Sequence, residues 1–292
     1  MHNHTHQTSH NLRLAFFLNL GFTLAEIVGG LYTNSVAILS DAVHDLGDSI
    51  SLGMAWYLEN LAQKDGDERF SYGYKRFSLL GALLNTSVLL VGSIFIMIES
   101  IPRLMSPEPA NARGMALFAI VGIIVNGIAV LRLRQAETMN ARAVAWHLLE
   151  DVLGWIAVLV VSIILLFRPI YILDAILSVL ITLYISWNVI ANLRKTLALF
   201  LQGVPENIDI EEIDVRLRSI PEVESTHHTH IWSLDGEHHV LTTHVVVDES
   251  VSKESIVCLR RDLQTMLSSL DFSHSTIEIE FGDGDCGMAG AD

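Results

Sequence analysis

Two short stretches of this sequence set an imidazole and a carboxylate four residues apart, at His44 and Asp48 and again at His147 and Asp151. On an α-helix that spacing puts both groups on one face, a single turn from each other. Each pair then offers one ring nitrogen and one carboxylate oxygen in a common direction. Two such helices facing each other make a roughly tetrahedral cage of two N and two O donors. A zinc-like ion accepts that set, because it has no geometric preference of its own and takes His and Asp at about 2.0–2.2 Å. A single buried His or Asp is as well explained by helix-packing hydrogen bonds or by a helix end near water. The same spacing in two separate stretches favours the cage.

The elements that must carry these pairs are apolar. Runs long enough to cross a bilayer, about 20 residues each, fall near 12–32, 36–61, 77–101, 113–131, 143–167 and 170–192. The pairs lie in the second and fifth. An ionisable group at mid-bilayer costs roughly 2.5–3.5 kcal/mol, so each one needs a reason. Asp45 and Glu150 sit next to the proposed ligands in sequence and are turned about 100° away, which reads as a supporting or solvent-path role. Asp41 lies on the His44/Asp48 face and fits either an exit-path carboxylate or a helix-dipole role. Asn19, Glu26, Glu99, Asn126 and Asp174 are explained as well by interhelical packing as by transport.

Lys and Arg flank the spans unevenly. Lys64, Arg69, Lys75 and Arg76 follow span 2, Arg132, Arg134 and Arg142 follow span 4, and Arg194 and Lys195 follow span 6. The opposite side has Arg103, Arg113 and Arg168. The positive-inside bias puts both termini in the cytoplasm, in agreement with an even number of spans. The opening residues are His-rich and polar, so no cleavable signal peptide is expected.

Charge divides the 292 residues again. Residues 1–205 hold 13 Lys/Arg and 14 Asp/Glu, whereas residues 206–292 hold 5 and 19. Nearly all of the net charge of −15 belongs to the C-terminal third, while the mean hydropathy of +0.42 belongs to the rest. No basic patch exists to release phosphate counterions, which argues against a nucleic-acid partner. Two cysteines, Cys258 and Cys286, exclude a disulfide scaffold.

After Pro205 the hydrophobic periodicity changes. Residues 208–220 read as an amphipathic helix, 223–234 and 238–248 as strands joined at Asp235-Gly236, 252–270 as a helix capped by Ser252, and 275–281 as a strand. The order αββαβ suits a small α+β sheet domain with helices over one face. Seven of the 13 histidines fall here. Strand alternation puts His228, His230 and Trp232 on one face, and turns His244 and Glu280 away from the core residues beside them. A sheet surface presenting His230, His244 and Glu280 is a candidate second zinc site, with His228 and His239 as extra ligands. An exposed polar face that contains histidines is the simpler alternative. Cys286 fits a free thiol on a flexible end better than a ligand. His2, His4, His6 and His10 lack the contiguous run of a tag and read as a weak metal-gathering segment.

These residues carry a resemblance. The chain is similar to the cation diffusion facilitator family, most of all to its bacterial cadmium/zinc/cobalt-resistance branch. The likeness rests on the two intramembrane pairs, on Arg69-Phe70-Ser71-Tyr72-Gly73-Tyr74-Lys75-Arg76, and on His230-Ile231-Trp232-Ser233-Leu234 and Leu241-Thr242-Thr243-His244-Val245. It implies a transport site at His44, Asp48, His147 and Asp151, and cytoplasmic ligands at His230, His244 and Glu280. It implies a metallochaperone-like cytoplasmic domain, a homodimer, and proton-coupled export of Zn²⁺, with Cd²⁺ and Co²⁺ as further candidates. His as the first residue of the span 2 motif resembles zinc-selective members. Some relatives carry histidines in the loop between spans 2 and 3; this loop has none, so that additional site is not expected.

The expected organisation is a His-rich cytoplasmic segment over 1–11, six transmembrane helices over 12–200, a cytoplasmic α+β domain over 206–282 and a flexible tail over 283–292. Such a chain sits among lipids in a bacterial inner membrane, with metal ions and protons as its ligands. A membrane metalloenzyme is the first competitor. It lacks the residues, since no His-Glu-x-x-His occurs and a four-donor cage leaves no open position for water. A metal sensor with a membrane anchor is the second, and six spans with matched buried ligands exceed what anchoring needs.

Overall fold

The computed structural model describes residues 2–62, 64, 66–133, 139–268, 270 and 272–282. Six long helices come first: α1 (His2–Thr33), α2 (Val36–Ala62), α3 (Phe77–Met105), α4 (Ala112–Leu133), α5 (Met139–Phe167) and α6 (Ile172–Phe200). Within five of them, Phe16–Thr33, Phe77–Met105, Ala112–Leu131, Leu148–Phe167 and Ile172–Phe200 are long and apolar enough to cross a membrane. The exception is α2. It is long enough, but every 18-residue stretch of it holds three acidic residues. The helix that fails on composition is the one that carries the first His/Asp pair.

Several helix ends differ from the expected ones, among them the starts of α1 and α5 and the C-terminal ends of α3 and α6. The third runs through Pro102 to Met105. Proline costs little there, because near the end of a helix it forfeits one hydrogen bond and has few turns left to disturb. The sixth continues past Arg194 and Lys195 to Phe200. Charge ends the apolar run without ending the helix, and the first breaker is Gly203.

The chain divides into two compact units. One comprises Met1–Asn60 with Gly81–Leu193, the other Leu61–Leu80 with Arg194–Asp292. In the first, Trp155 is fully buried with Ala37, Ile38, Met115, Ala119 and Val158. Its indole lies against Gly122, where even a methyl group would collide with the ring. That close approach of α4 to α5 holds the helix bearing the second His/Asp pair.

The second unit has the expected αββαβ order, as α7 (Ile210–Arg218), β1 (Ser225–Ser233), β2 (His239–Val247), α8 (Lys253–Ser268) and β3 (Phe272–Phe281). Asp209 caps α7, accepting the amide of Glu211 at 2.9 Å. Ser252 accepts the amide of Ser255 at 3.2 Å ahead of α8, as its sequence suggests. The strand order is β1-β2-β3, with β1 antiparallel and β3 parallel to the central β2. Ile213 and Leu217 of α7 and Leu259, Leu263 and Leu267 of α8 pack on Ile231, Leu241, Val245 and Val247. Both helices therefore cover one face of the sheet and leave the other for polar side chains.

Asp235 shapes the turn between β1 and β2. Its carboxylate accepts the amides of Glu237 at 2.9 Å and His238 at 2.8 Å, and lies 2.6 Å from His238 Nδ1. Partial burial pushes its pKa up, but these hydrogen bonds and the neighbouring imidazole outweigh burial and hold it below the usual carboxylate range. Gly236, at φ +103°, takes the left-handed position this turn requires.

The loop between α2 and α3 has its own frame. Asp67 accepts the amides of Arg69 and Phe70 at 2.8 and 2.7 Å and the hydroxyl of Tyr74 at 2.7 Å. The Tyr74 hydroxyl, helped by those amides, holds the Asp67 carboxyl below its ordinary range. Tyr72 meets Trp232 and His274 edge-on, with ring centroids 6.5 and 5.2 Å away.

Candidate functional site

In the membrane half, α2 and α5 bring three of the four expected donors together. His44 Nε2 lies 4.0 Å from Asp48 Oδ2, one turn along its own helix, and 3.7 Å from Asp151 Oδ1 across on α5. His147 stands one turn before Asp151 on α5, and its side chain lies outside the described residues. A cavity of about 280 Å³ opens beside them. Asp41, His44, Glu150 and Asp151 give it a polar side, and Leu180, Ile181, Tyr184 and Ile185 of α6 close it. Glu150 lines this cavity next to the cluster.

The acidic surroundings extend further. Asp41, Asp45 and Asp151 are buried. Glu26 of α1 is fully buried too. Carboxylates gathered out of water demand a counter-charge or a proton. The arrangement suits a bound cation.

Other polar residues of these helices have protein partners. Asn19 donates to the carbonyl of Asp45 and to Ser49 Oγ, both at 3.0 Å. Asp174 accepts the Ser35 hydroxyl at 2.6 Å and the Val36 amide at 2.8 Å. Arg103 pairs with Glu99 at 2.7 Å and Glu108 at 3.3 Å.

The second unit holds a separate cluster on the open face of its sheet. One ligand atom each from His227, His244 and Glu280 lies within 4.8 Å of the others. His244 Nδ1 is 2.7 Å from Glu280 Oε1, and His227 Nε2 is 3.1 Å from Glu280 Oε2. Glu278 approaches the other nitrogen of His244 at 3.5 Å.

The structure brings together a different set from the expected one. His230 is exposed and lies opposite Thr242, whereas His227 lies opposite His244. The cause is a bulge between His227 and His230, with His228 in the left-handed region at φ +49°. One extra residue there slips the alternation, so His227 comes to the His244 side. His228 stays close, its ring centroid 5.3 Å from that of His244. His239 is not part of the group. It is buried at the start of β2 against Phe272, five residues from His244, or about 16 Å along a strand. Cys286 lies outside the described residues, as do the side chains of His2, His4, His6 and His10. The readable signal for His227 was the run His227-His228-Thr229-His230, which offers two registers differing by one residue.

Long apolar helices with a buried imidazole–carboxylate cluster, followed by a small α+β domain with a second such cluster, define an integral membrane protein built to handle cations. The chain matches the cation efflux transmembrane domain over residues 12–201 and the cation efflux protein cytoplasmic domain over 205–281. It belongs to the cation efflux family, the cation diffusion facilitators, and is a transporter rather than an enzyme. The metal cation efflux system protein CzcD of Cupriavidus metallidurans is 33% identical over 281 residues, covering 96% of this chain and 89% of that protein. The cadmium, cobalt and zinc/H(+)-K(+) antiporter of Bacillus subtilis is 30% identical over 284 residues, covering 96% and 91%. Among solved structures, the metal-bound C-terminal domain of the CzcD transporter is 36% identical, covers 25% of this chain and 99% of that one, and has a TM-score of 0.23.

Proposed function

We propose that this protein exports Zn²⁺ from the cytoplasm in exchange for protons, through a site formed by His44, Asp48, His147 and Asp151, with Cd²⁺ and Co²⁺ as further substrates. The observation that carries this reading is the approach of His44, Asp48 and Asp151 from two helices beside one cavity. Its relatives, a metal cation efflux system protein and a cadmium, cobalt and zinc/H(+)-K(+) antiporter, support the substrate class and the exchange. Coupling follows from competition for the same lone pairs. The ion needs deprotonated imidazole and carboxylate, so cytoplasmic binding releases protons and protonation on the acidic side releases the ion.

In this reading both termini face the cytoplasm, in a bacterial inner membrane. The C-terminal domain pairs with that of a second copy and binds zinc through His227, His244 and Glu280, with His228 beside them. An acidic domain repels its own copy, and bound zinc relieves that repulsion. Metal therefore tightens the dimer and biases the transporter. The decisive experiment is uptake of radioactive zinc into inverted vesicles under an imposed pH gradient. Uptake should need the gradient and vanish in Asp48→Ala and Asp151→Ala, and wild-type uptake by either variant would sink the assignment.

A further inference from the structure

The helix that carries His44 and Asp48 is hydrogen-bonded from both flanks by groups that no metal ion needs. Its first turn is fastened to α6. Ser35 Oγ accepts the amide of Ile38 at 3.2 Å, the usual work of an N-cap. The amide of Val36 turns instead to Asp174 Oδ2 at 2.8 Å, while Asp174 Oδ1 takes the Ser35 hydroxyl at 2.6 Å. A buried carboxylate on a neighbouring helix thus completes the cap, where the helix dipole also favours negative charge. One turn along α6, the Ser178 hydroxyl donates to the carbonyl of Val36 at 3.0 Å and meets Ser100 of α3 at 2.8 Å. A turn further, Thr182 meets Ser40 at 2.8 Å. Asp174, Ser178 and Thr182 are four apart, so they form one stripe of α6, and all are buried. On α6 the cavity beside His44 is lined by Leu180, Ile181, Tyr184 and Ile185, on either side of Thr182 in sequence.

A second seam holds the opposite flank. Asn19 of α1 donates to the carbonyl of Asp45 and to Ser49 Oγ, and Thr23 lies 3.3 Å from Ser49 Oγ. At about 100° per residue, Ser40 lies about 40° to one side of His44, and Asp48 and Ser49 about 40° and 140° to the other. The α6 seam and the α1 seam therefore bracket the His44/Asp48 face and leave it turned towards α5.

We propose that these seams set the rotation and height of α2, so that Thr182, Ser178 and Asp174 of α6 and Asn19 of α1 are positioning residues for the cation site. The proposal rests on His44 and Asp48 being ligands. None of the four touches the ion, and each acts through the helix it fixes. An apolar environment strengthens the case for side-chain hydrogen bonds as the fastening, because the lipid-facing bundle gains little from hydrophobic burial between helices.

The test is zinc-dependent uptake into inverted vesicles at several zinc concentrations, with the amount of folded protein in the membrane measured alongside. Thr182→Val keeps the shape and removes the hydroxyl, whereas Thr182→Ser keeps the hydroxyl. With Thr182→Val and Asn19→Ala, KM for zinc should rise about tenfold, as for other groups that orient metal ligands. Vmax should stay within about twofold, the split expected when ground-state binding is lost. Thr182→Ser should behave as wild type. An unchanged KM in Thr182→Val and Asn19→Ala overturns the proposal, and so does a loss confined to Vmax. Equal impairment in Thr182→Ser overturns it as well, since packing rather than the hydroxyl would then be responsible. Asp48→Ala in the same assay separates the two readings. If it transports normally, the site itself is wrong; if it is dead while Thr182→Val keeps its KM, only the positioning role fails.

Discussion

In the membrane half, the nearest approach between His44 and the carboxylates beside it is 3.7 Å, next to an open cavity. In the C-terminal unit, His244 and Glu280 are already in contact at 2.7 Å. The difference follows from what holds each pair. His244 and Glu280 sit on adjacent strands whose backbone ladder fixes their register, so the cluster is as rigid as the sheet. His44 and Asp151 sit on separate helices with no backbone bond between them, and only side-chain contacts set their spacing. Under the proposed function, the looser cluster would take up and release an ion and the sheet cluster, assembled in advance, would report on metal.

The largest expected effect tests the looser cluster. Asp151→Ala should lower transport by about 100-fold or more, since a buried cage that loses a charged donor no longer holds a divalent ion. Metal bound by the C-terminal unit of the same purified protein should be unchanged by elemental analysis. The reciprocal change is next. His244→Ala should remove metal from the C-terminal unit of the full-length protein while transport at saturating zinc stays within about threefold, as expected when the coupling between sites is modest. Loss of transport as complete as in Asp151→Ala would erase the distinction between the clusters.

A finer contrast addresses the bulge. His227→Ala should weaken metal binding by the C-terminal unit about tenfold, while His230→Ala should change it by less than about twofold. Competition with a chromophoric chelator distinguishes them, and the reverse order would restore the unslipped register. The smallest effect concerns the turn that starts β2. Asp235→Ala should destabilise the hairpin by about 1 kcal/mol through lost hydrogen bonds, read as faster amide exchange over residues 233–239. Because the native carboxyl titrates below its unfolded value, its contribution is complete above the ordinary range near about pH 4 and lost as pH falls through the folded value. Exchange in the wild-type turn should therefore be insensitive to this group between about pH 5 and 7.

Much of this architecture is legible in residue order because its forces are local or periodic. Six helices follow from apolar runs, and αββαβ from the change of period after Pro205. The His44/Asp48 pair is legible because helical spacing alone puts the two groups on one face. The choice of His227 over His230 is not, since it depends on a one-residue bulge in β1 and sequence alternation assumes an unbroken pleat. Asp174 is equally opaque. It reads as an isolated acid in an apolar run, and its role as a cap becomes visible only once Ser35 and Val36, well over 100 residues earlier, are placed against it.

The edge-on contact of Tyr72 with Trp232 and His274 bears on how the chain is made. Tyr72 leaves the ribosome about 160 residues before Trp232 and about 200 before His274. The loop after α2 can form its own Asp67 frame early, but the contacts of Tyr72 must wait while four more helices are synthesised and inserted. A C-terminal fragment starting at Pro205 would reverse the problem, since Trp232 and His274 would fold with no Tyr72 to cover them. The second unit is complete only when both ends of the synthesis have met.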